Sequence, residues 1–175
     1  MSIFSRFFSS SRPRDTMVPL YRAIVTHGRD PQWYAQGGVP DTQDGRFDMI
    51  AAILSAVLLR LESEGETHAS ESALLAELFI EDMDGQLREL GIGDIVVGKH
   101  IGKMMGALGG RLTAYRDGFG GDGDAHGALR RNLYRGVDPA DGEVDYTVNR
   151  LRRFIAALAD EPAAAVASGA LPDLA

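Results

Sequence analysis

Residues 93–100, "GDIVVGKH", match the phosphate-binding pattern G-x-x-x-x-G-K-[ST] at every fixed position but the last. Such a loop binds phosphate through its backbone amides and uses the final hydroxyl to bind Mg²⁺. Here Asp94 would place a carboxylate among the phosphates, three β-branched residues resist the unusual loop dihedrals, and His100 cannot replace the hydroxyl. We therefore interpret the stretch as the start of a helix, with Asp94 near its positively polarised end.

A calcium loop is the next candidate, because Asp82 and Asp84 are two residues apart. The pattern fails where it requires glycine, since Leu87 stands there, and where it requires glutamate, since Gly93 stands there. We interpret these carboxylates as part of a solvated acidic patch.

Other catalytic groups are scattered or absent. The chain has no cysteine, and no serine lies in a G-x-S-x-G turn. No two histidines are four residues apart, so His27, His68, His100 and His126 are interpreted as surface or packing residues. The sequence predicts no enzymatic activity, no catalytic residue, no metal and no cofactor.

The length, apolar fraction and net charge of the chain limit the kinds of partner it can bind. The chain has 175 residues, is 45% apolar and carries a net charge of −7, which argues against nucleic acid as a partner. The longest apolar run, residues 49–59, is too short to span a bilayer and predicts a buried helix.

Along most of the sequence, apolar residues recur with the period of an α-helix, so the residues discussed above should lie on helices or between them. It predicts an all-α fold, a single compact domain of about six to eight helices. A helix from about residue 46 to 61 is apolar nearly all round and should be central. A later helix, roughly residues 94–116, carries a stripe formed by Gly98, Gly102, Gly106 and Gly109. Close packing should compensate the cost of these glycines, and packing inside the domain is favoured over packing against a partner helix.

Residues 1–16 are treated as a separate basic arm in front of a helical domain at residues 17–175. Apolar residues recur in the arm at helical spacing, with Ser and Arg between them. A tail, or an arm packed on the domain, is the favoured interpretation, and a short mitochondrial transit peptide is an alternative. A further hypothesis is contact with an anionic membrane surface through Phe4, Arg6, Phe7, Phe8 and Arg12.

Several strings resemble the ubiquinol–cytochrome c chaperone family over roughly residues 18–136. They are "LYRAIVTHGRDPQWY", "VPDTQDGRFDMI", "EDMDGQLRELGIGDIVVGKHIGKM", "GRLTAYRDG" and "RRNLY". Members of the family typically have a bulkier run in place of "MMGALGGR". Gly102, Gly106 and Gly109 are therefore predicted to be particular to this chain.

The resemblance implies a helical, non-enzymatic chaperone that helps cytochrome b assemble into the ubiquinol–cytochrome c reductase (bc1) complex, together with a small partner protein. It would bind through a polar surface built from residues 40–48 and 81–99. The residues assigned to partner binding are Asp41, Asp44, Arg46, Asp82, Asp84, Arg88, Glu89, Asp94, Lys99 and Arg111. The alternative is a helical domain that binds a small molecule or lipid related to haem or quinone. The expected location is the bacterial cytoplasm at the inner face of the inner membrane, with the mitochondrial matrix as alternative.

Overall fold

The computed structural model describes residues 13–89 and 97–174, and side chains within residues 14–85 and 102–174. No strand occurs in this part of the chain, which confirms the all-α, single-domain prediction. Short 3₁₀ helices cover Pro13–Thr16 and Gly65–His68. The α-helices are α1 Val18–Gly28, α2 Pro31–Ala35, α3 Gln43–Glu62, α4 Ala69–Glu89, α5 Val97–Phe119, α6 Ala125–Asn132, α7 Asp141–Asp160 and α8 Ala163–Ala167. Within "GDIVVGKH", residues 93–96 lie outside the described residues and residues 97–100 are helical.

Polar side chains fix where the helices begin. The hydroxyl of Thr42 accepts a hydrogen bond from the amide of Gly45 at 3.1 Å, so α3 begins at Gln43, three residues before the predicted start. A Cβ at Gly45 would lie 2.0 Å from the carbonyl oxygen of Pro40, so only glycine fits this turn. Asp124 caps α6 in the same way, accepting from the amide of Gly127 at 2.7 Å.

The central element is α3, as its all-round apolar sequence predicts. Its residues from Met49 to Leu58 are all buried, and it contacts α1, α4, α5, α7 and α8. Burial of apolar surface on every side is the main source of stability in such an arrangement. The other helices form a layer around α3 and present their polar faces to water.

A buried ion pair joins α7 to the turn between α1 and α2. Arg150 on α7 is 2% exposed and pairs with Asp30, with an N–O distance of 3.1 Å. Its guanidinium carbon lies 4.3 Å from the ring centroid of Trp33, close enough for a cation–π contact. Burial is the largest single effect and pushes the pKa of Asp30 up. The hydrogen bonds from Arg150 and from the amide of Gln32, together with the charges of Arg150 and His27, lower the pKa overall.

The described glycines of the stripe contradict the expectation of internal packing, whereas the surroundings of Gly98 lie outside what the structure describes. A Cβ placed on Gly102, Gly106, Gly109 or Gly110 would meet no atom within 4 Å. All four positions are exposed on α5. The expectation failed because the buried residues of α5, such as Met104 and Leu108, occupy the opposite side of the helix. These four glycines therefore face outward, and their Cα positions make no close contact with the other described residues.

Across the described ranges, no helix has both the length and the apolar character needed to cross a bilayer. The predicted membrane-contact residues of the arm, Phe4 to Arg12, lie outside those ranges, so membrane contact stays a prediction. The described part begins with the short helix at Pro13–Thr16, where Arg14 pairs with Glu81 on α4.

Candidate functional site

A cleft of about 260 Å³ opens where the start of α3, the middle of α4 and the first half of α5 meet. We call it the α3–α5 cleft. Its lining is Gln43, Asp44, Phe47, Met83, Lys103, Met104, Ala107, Arg111 and Arg135. Three of these residues, Gln43, Asp44 and Phe47, belong to the predicted segment 40–48, whereas Met83 alone represents the described part of the segment 81–99.

A buried carboxylate holds the wall of the cleft in place. Asp48 is 2% exposed and binds Arg111 through one oxygen. Its other oxygen accepts from Nε and Nη2 of Arg135, at 2.9 and 2.7 Å. Burial raises the pKa of Asp48, and the two arginines oppose that shift. One carboxylate on α3 thus fixes an arginine on α5 and another just beyond α6.

Arg111 links the charged and apolar parts of the cleft. Its Nη1 donates to the carbonyl of Ala107 at 3.1 Å, and its guanidinium carbon lies 5.2 Å from the ring centroid of Phe47. The Phe47 ring packs in turn on Phe79, with centroids 5.2 Å apart. The Nε of Arg111 is buried and has no hydrogen-bond partner. The cleft therefore combines an apolar floor with fixed positive charge.

Residues 35–172, which include all three helices of the cleft, match the family model for the ubiquinol–cytochrome C chaperone. The chain belongs to the ubiquinol–cytochrome c chaperone family. The fold is also similar to the crystal structure of the Cbp3 homolog from Brucella abortus, with a TM-score of 0.77 and 29% sequence identity. That match covers 91% of this chain and 90% of the Brucella chain. No curated protein matches the sequence.

In this member of the chaperone family, the predicted partner-binding residues are spread over several faces. Asp44 and Arg111 line the α3–α5 cleft. Asp41 and Arg46 pair with each other at 2.7 Å beside a different depression, formed with Tyr34. Their contact braces the turn before α3, as expected for an Arg–carboxylate pair.

Asp82 lies on yet another face, where it accepts a 2.7 Å hydrogen bond from the hydroxyl of Tyr21 and so ties α4 to α1. Asp84 is partly buried on α4. Asp94 and the side chains of Arg88, Glu89 and Lys99 lie outside what the structure describes. Arg111 was expected to meet a client, yet its side chain is 6% exposed and its charge is used internally by Asp48.

Sequence reasoning missed several cleft residues, chiefly Lys103, Met104 and Arg135. In the sequence, Met104 is one of several apolar residues at helical spacing, and nothing marks it as part of a cleft. Lys103 is one of two lysines in the chain, and this rarity was the one available signal. Arg135 lies far along the chain from α3, and no local pattern connects it with Asp48.

A second concavity lies between α3, α5 and α7. It has a volume of about 440 Å³ and mainly apolar walls, including Leu59, Phe119 and Ile155. Its lining contains no His, Cys or Met that could hold haem iron. Tyr115 also lines it, but burial raises the pKa of that phenol and disfavours the phenolate a metal would need. The groove thus fits an apolar ligand and lacks a haem ligand.

The described histidines have local roles. His27 hydrogen-bonds the carbonyls of Ala23 and Pro172 at 2.9 and 3.0 Å, and His126 contacts Asp145 at 2.7 Å. Within the described ranges no three His, Asp or Glu side chains are close enough together to hold a metal ion.

Proposed function

We propose that this protein is a non-enzymatic assembly chaperone of the bc1 complex and that its client is cytochrome b. Membership of the ubiquinol–cytochrome c chaperone family carries the proposal, since the match spans residues 35–172 and hence nearly the whole helical domain. The likeness to the Brucella protein, over 91% of this chain, supports the same conclusion.

The surface geometry is compatible with protein binding. At the α3–α5 cleft, residues 43–47 of the first predicted segment and Met83 of the second line an apolar floor beside charged side chains. Protein-binding surfaces commonly combine a small apolar centre with a polar rim. We therefore place the client or a small partner protein on this side of the molecule. The expected location is the cytoplasmic face of a bacterial inner membrane, with the mitochondrial matrix as the alternative.

Deletion of the gene tests the client assignment. The measurement is the reduced-minus-oxidised spectrum of cytochrome b in isolated membranes, with another respiratory cytochrome as internal control. We expect the cytochrome b signal to fall in the deletion strain and to return when the gene is supplied on a plasmid. An unchanged cytochrome b signal would refute the proposal.

Contact between the N-terminal arm and the membrane is a separate part of the proposal. Phe4, Phe7 and Phe8 would insert into the interface while Arg6 and Arg12 meet anionic headgroups. Full-length protein and a variant lacking residues 1–12 should be compared for sedimentation with phosphatidylglycerol-containing and neutral liposomes. Equal sedimentation of the two proteins with the anionic liposomes would eliminate the arm as a membrane anchor.

A small apolar ligand is the second candidate, favoured by the 440 Å³ groove between α3, α5 and α7. That volume is within the range of small-molecule sites. A quinone analogue should then quench tyrosine fluorescence in titration, and Ile155→Arg should abolish the effect. A titration with no saturable signal would remove this candidate.

A further inference from the structure

The α3–α5 cleft has the size and lining of a pocket for one side chain of another protein. Its volume, about 260 Å³, is below the range of about 300–1,000 Å³ typical of small-molecule sites. Phe47, Met83 and Met104 form its apolar wall. Methionine side chains are flexible and polarisable, so they adapt to differently shaped partners. The cleft therefore suits a large apolar side chain better than a cofactor.

The charges around the cleft favour an acidic partner. Among the described side chains at the cleft, Lys103, Arg111 and Arg135 stand against the carboxylates of Asp44 and Asp48, which leaves one surplus positive charge. The chain as a whole carries −7. Lys103 is exposed and forms no ion pair with any described residue, and the side chain of Arg135 is 47% exposed. A partner's carboxylate could therefore bind Lys103 without displacing a described ion-pair partner, whereas Arg135 is engaged by Asp48.

The glycine stripe borders this cleft. Gly102, Gly106 and Gly110 are four residues apart, so they lie along one side of α5. Lys103 precedes Gly106 by three residues, and Ala107 precedes Gly110 by three, which makes each pair neighbours on the helix surface. With open space above each glycine, the backbone of another helix can approach α5 closely.

We propose that the cleft and the stripe together bind an acidic amphipathic helix of a partner protein. One large apolar side chain of that helix enters the α3–α5 cleft, and an Asp or Glu three or four residues away pairs with Lys103. The helix backbone crosses α5 at Gly106. This is recognition of a helix in a groove, with the glycines setting the distance of approach. The inference rests on the proposed chaperone function, because it describes the segment of client or partner protein that is held.

Site-specific crosslinking tests the chemistry of the occupant. Gln43, an exposed residue of the cleft lining, is replaced by photoreactive benzoylphenylalanine in the full chain, which keeps Lys103 in place. The protein is produced in the deletion strain, and the crosslinked peptide is sequenced by mass spectrometry. Arg152, exposed on α7, is the control position. We expect position 43 alone to link to a peptide that carries a large apolar residue and Asp or Glu within four residues of it. A basic or wholly polar peptide, a second copy of this chain, a lipid or no crosslink at position 43 would overturn the inference.

Gly106→Leu tests the close approach. Leucine is a better helix former than glycine and meets no atom here, so the purified variant should unfold at higher urea concentration than the wild type. Its crosslinking from position 43 should nevertheless fall about tenfold or more, as expected when a central contact is blocked. Gly142→Leu, at another open glycine on α7, should leave crosslinking unchanged. Full crosslinking by the Gly106→Leu variant would overturn the inference.

The two proposals fail in different ways. If the plasmid-borne gene does not restore cytochrome b, the assignment of cytochrome b as client falls, but the probe at position 43 still reports whether an acidic helix occupies the cleft. If cytochrome b is restored and position 43 captures no such helix, the chaperone assignment stands and the cleft is not its binding site.

Reversal of the charge at Lys103 tests the ion pair. Lys103→Glu should weaken crosslinking from the probe at Gln43, whereas Lys103→Arg should preserve it, because only the first reverses the charge.

Discussion

Replacing Arg111 with methionine would leave the carboxylate of Asp48 with one partner, Arg135. The side chains of Arg111 and Asp48 are 6% and 3% exposed, whereas that of Arg135 is 47% exposed. Removing one member of a buried ion pair costs about 3–5 kcal/mol, and an exposed pair contributes about 0–1 kcal/mol. We therefore expect Arg111→Met to lower the free energy of unfolding by about 3–5 kcal/mol and Arg135→Met by about 1 kcal/mol.

The assay is urea unfolding of the full chain, followed by circular dichroism at 222 nm, which reports helix content. The set contains wild type, both single variants, Asp48→Leu and the double variant Asp48→Leu/Arg111→Met. The double variant should recover most of the loss, because replacing a buried pair by apolar groups is often neutral or stabilising. A loss below about 1 kcal/mol for Arg111→Met, with no recovery in the double variant, would refute the reasoning.

The same variant should respond to pH with a defined sign. Burial already raises the pKa of Asp48, and loss of Arg111 removes one of the charges that oppose the shift. A carboxyl group whose pKa is raised in the folded state favours folding while protonated and loses that contribution as pH rises through the folded value. The deficit of Arg111→Met relative to wild type should therefore be smaller at pH 5 than at pH 8.

Three further predictions concern the frame around the cleft. Gly45→Ala should destabilise the protein by about 1–3 kcal/mol, because its Cβ would collide with the carbonyl of Pro40. Tyr21→Phe should cost about 1.5 kcal/mol, measured by urea unfolding, since it removes the hydrogen bond to the partly exposed Asp82. Burial raises the pKa of Tyr134 to about 12, so its stabilising contribution is complete below pH 10 and is lost between pH 10 and 12. The free energy of unfolding should fall over that interval more steeply in wild type than in Tyr134→Phe.

Matched variants separate these effects from general damage. Gly85→Ala, at an open helical glycine, should stabilise by about 0.5–1 kcal/mol where Gly45→Ala destabilises. Tyr146→Phe removes an exposed tyrosine hydroxyl bond to Gln32 and should cost much less than Tyr21→Phe. Parallel alkaline unfolding curves for wild type and Tyr134→Phe would show that Tyr134 does not couple folding to pH.

The helices could be predicted from local sequence patterns, because the apolar residues of each helix recur at helical spacing and form its buried face. The apolar run of residues 49–59 identified α3 as the central helix. The start of α3 was predicted three residues late. The residues around Thr42 have the composition of a loop, and the hydrogen bond by which the Thr42 hydroxyl caps the helix is not visible in that composition. Helix boundaries depend on such single hydrogen bonds, whereas helix existence depends on many residues.

The cleft was less accessible to sequence reasoning. Its parts come from α3, α4, α5 and the segment after α6, and their approach is a result of tertiary packing. Arg111 was assigned to the binding surface together with other charged residues. Its side chain is instead buried, because it pairs with Asp48. The glycines of α5 were noticed, but spacing alone does not decide whether a small-residue stripe faces the core or the solvent. The burial of Met104 and Leu108 decides it.

The position of α3 in the chain has a consequence for synthesis on the ribosome. Its apolar surface emerges early, but α7 and α8, which cover part of it, are made last. Val166 of α8 is fully buried, so the cover is complete only when nearly the whole described domain has left the exit tunnel. Until then the nascent chain exposes an apolar helix, the condition under which chains aggregate or recruit helper proteins. A protein that belongs to a chaperone family would thus itself need protection while it is being made.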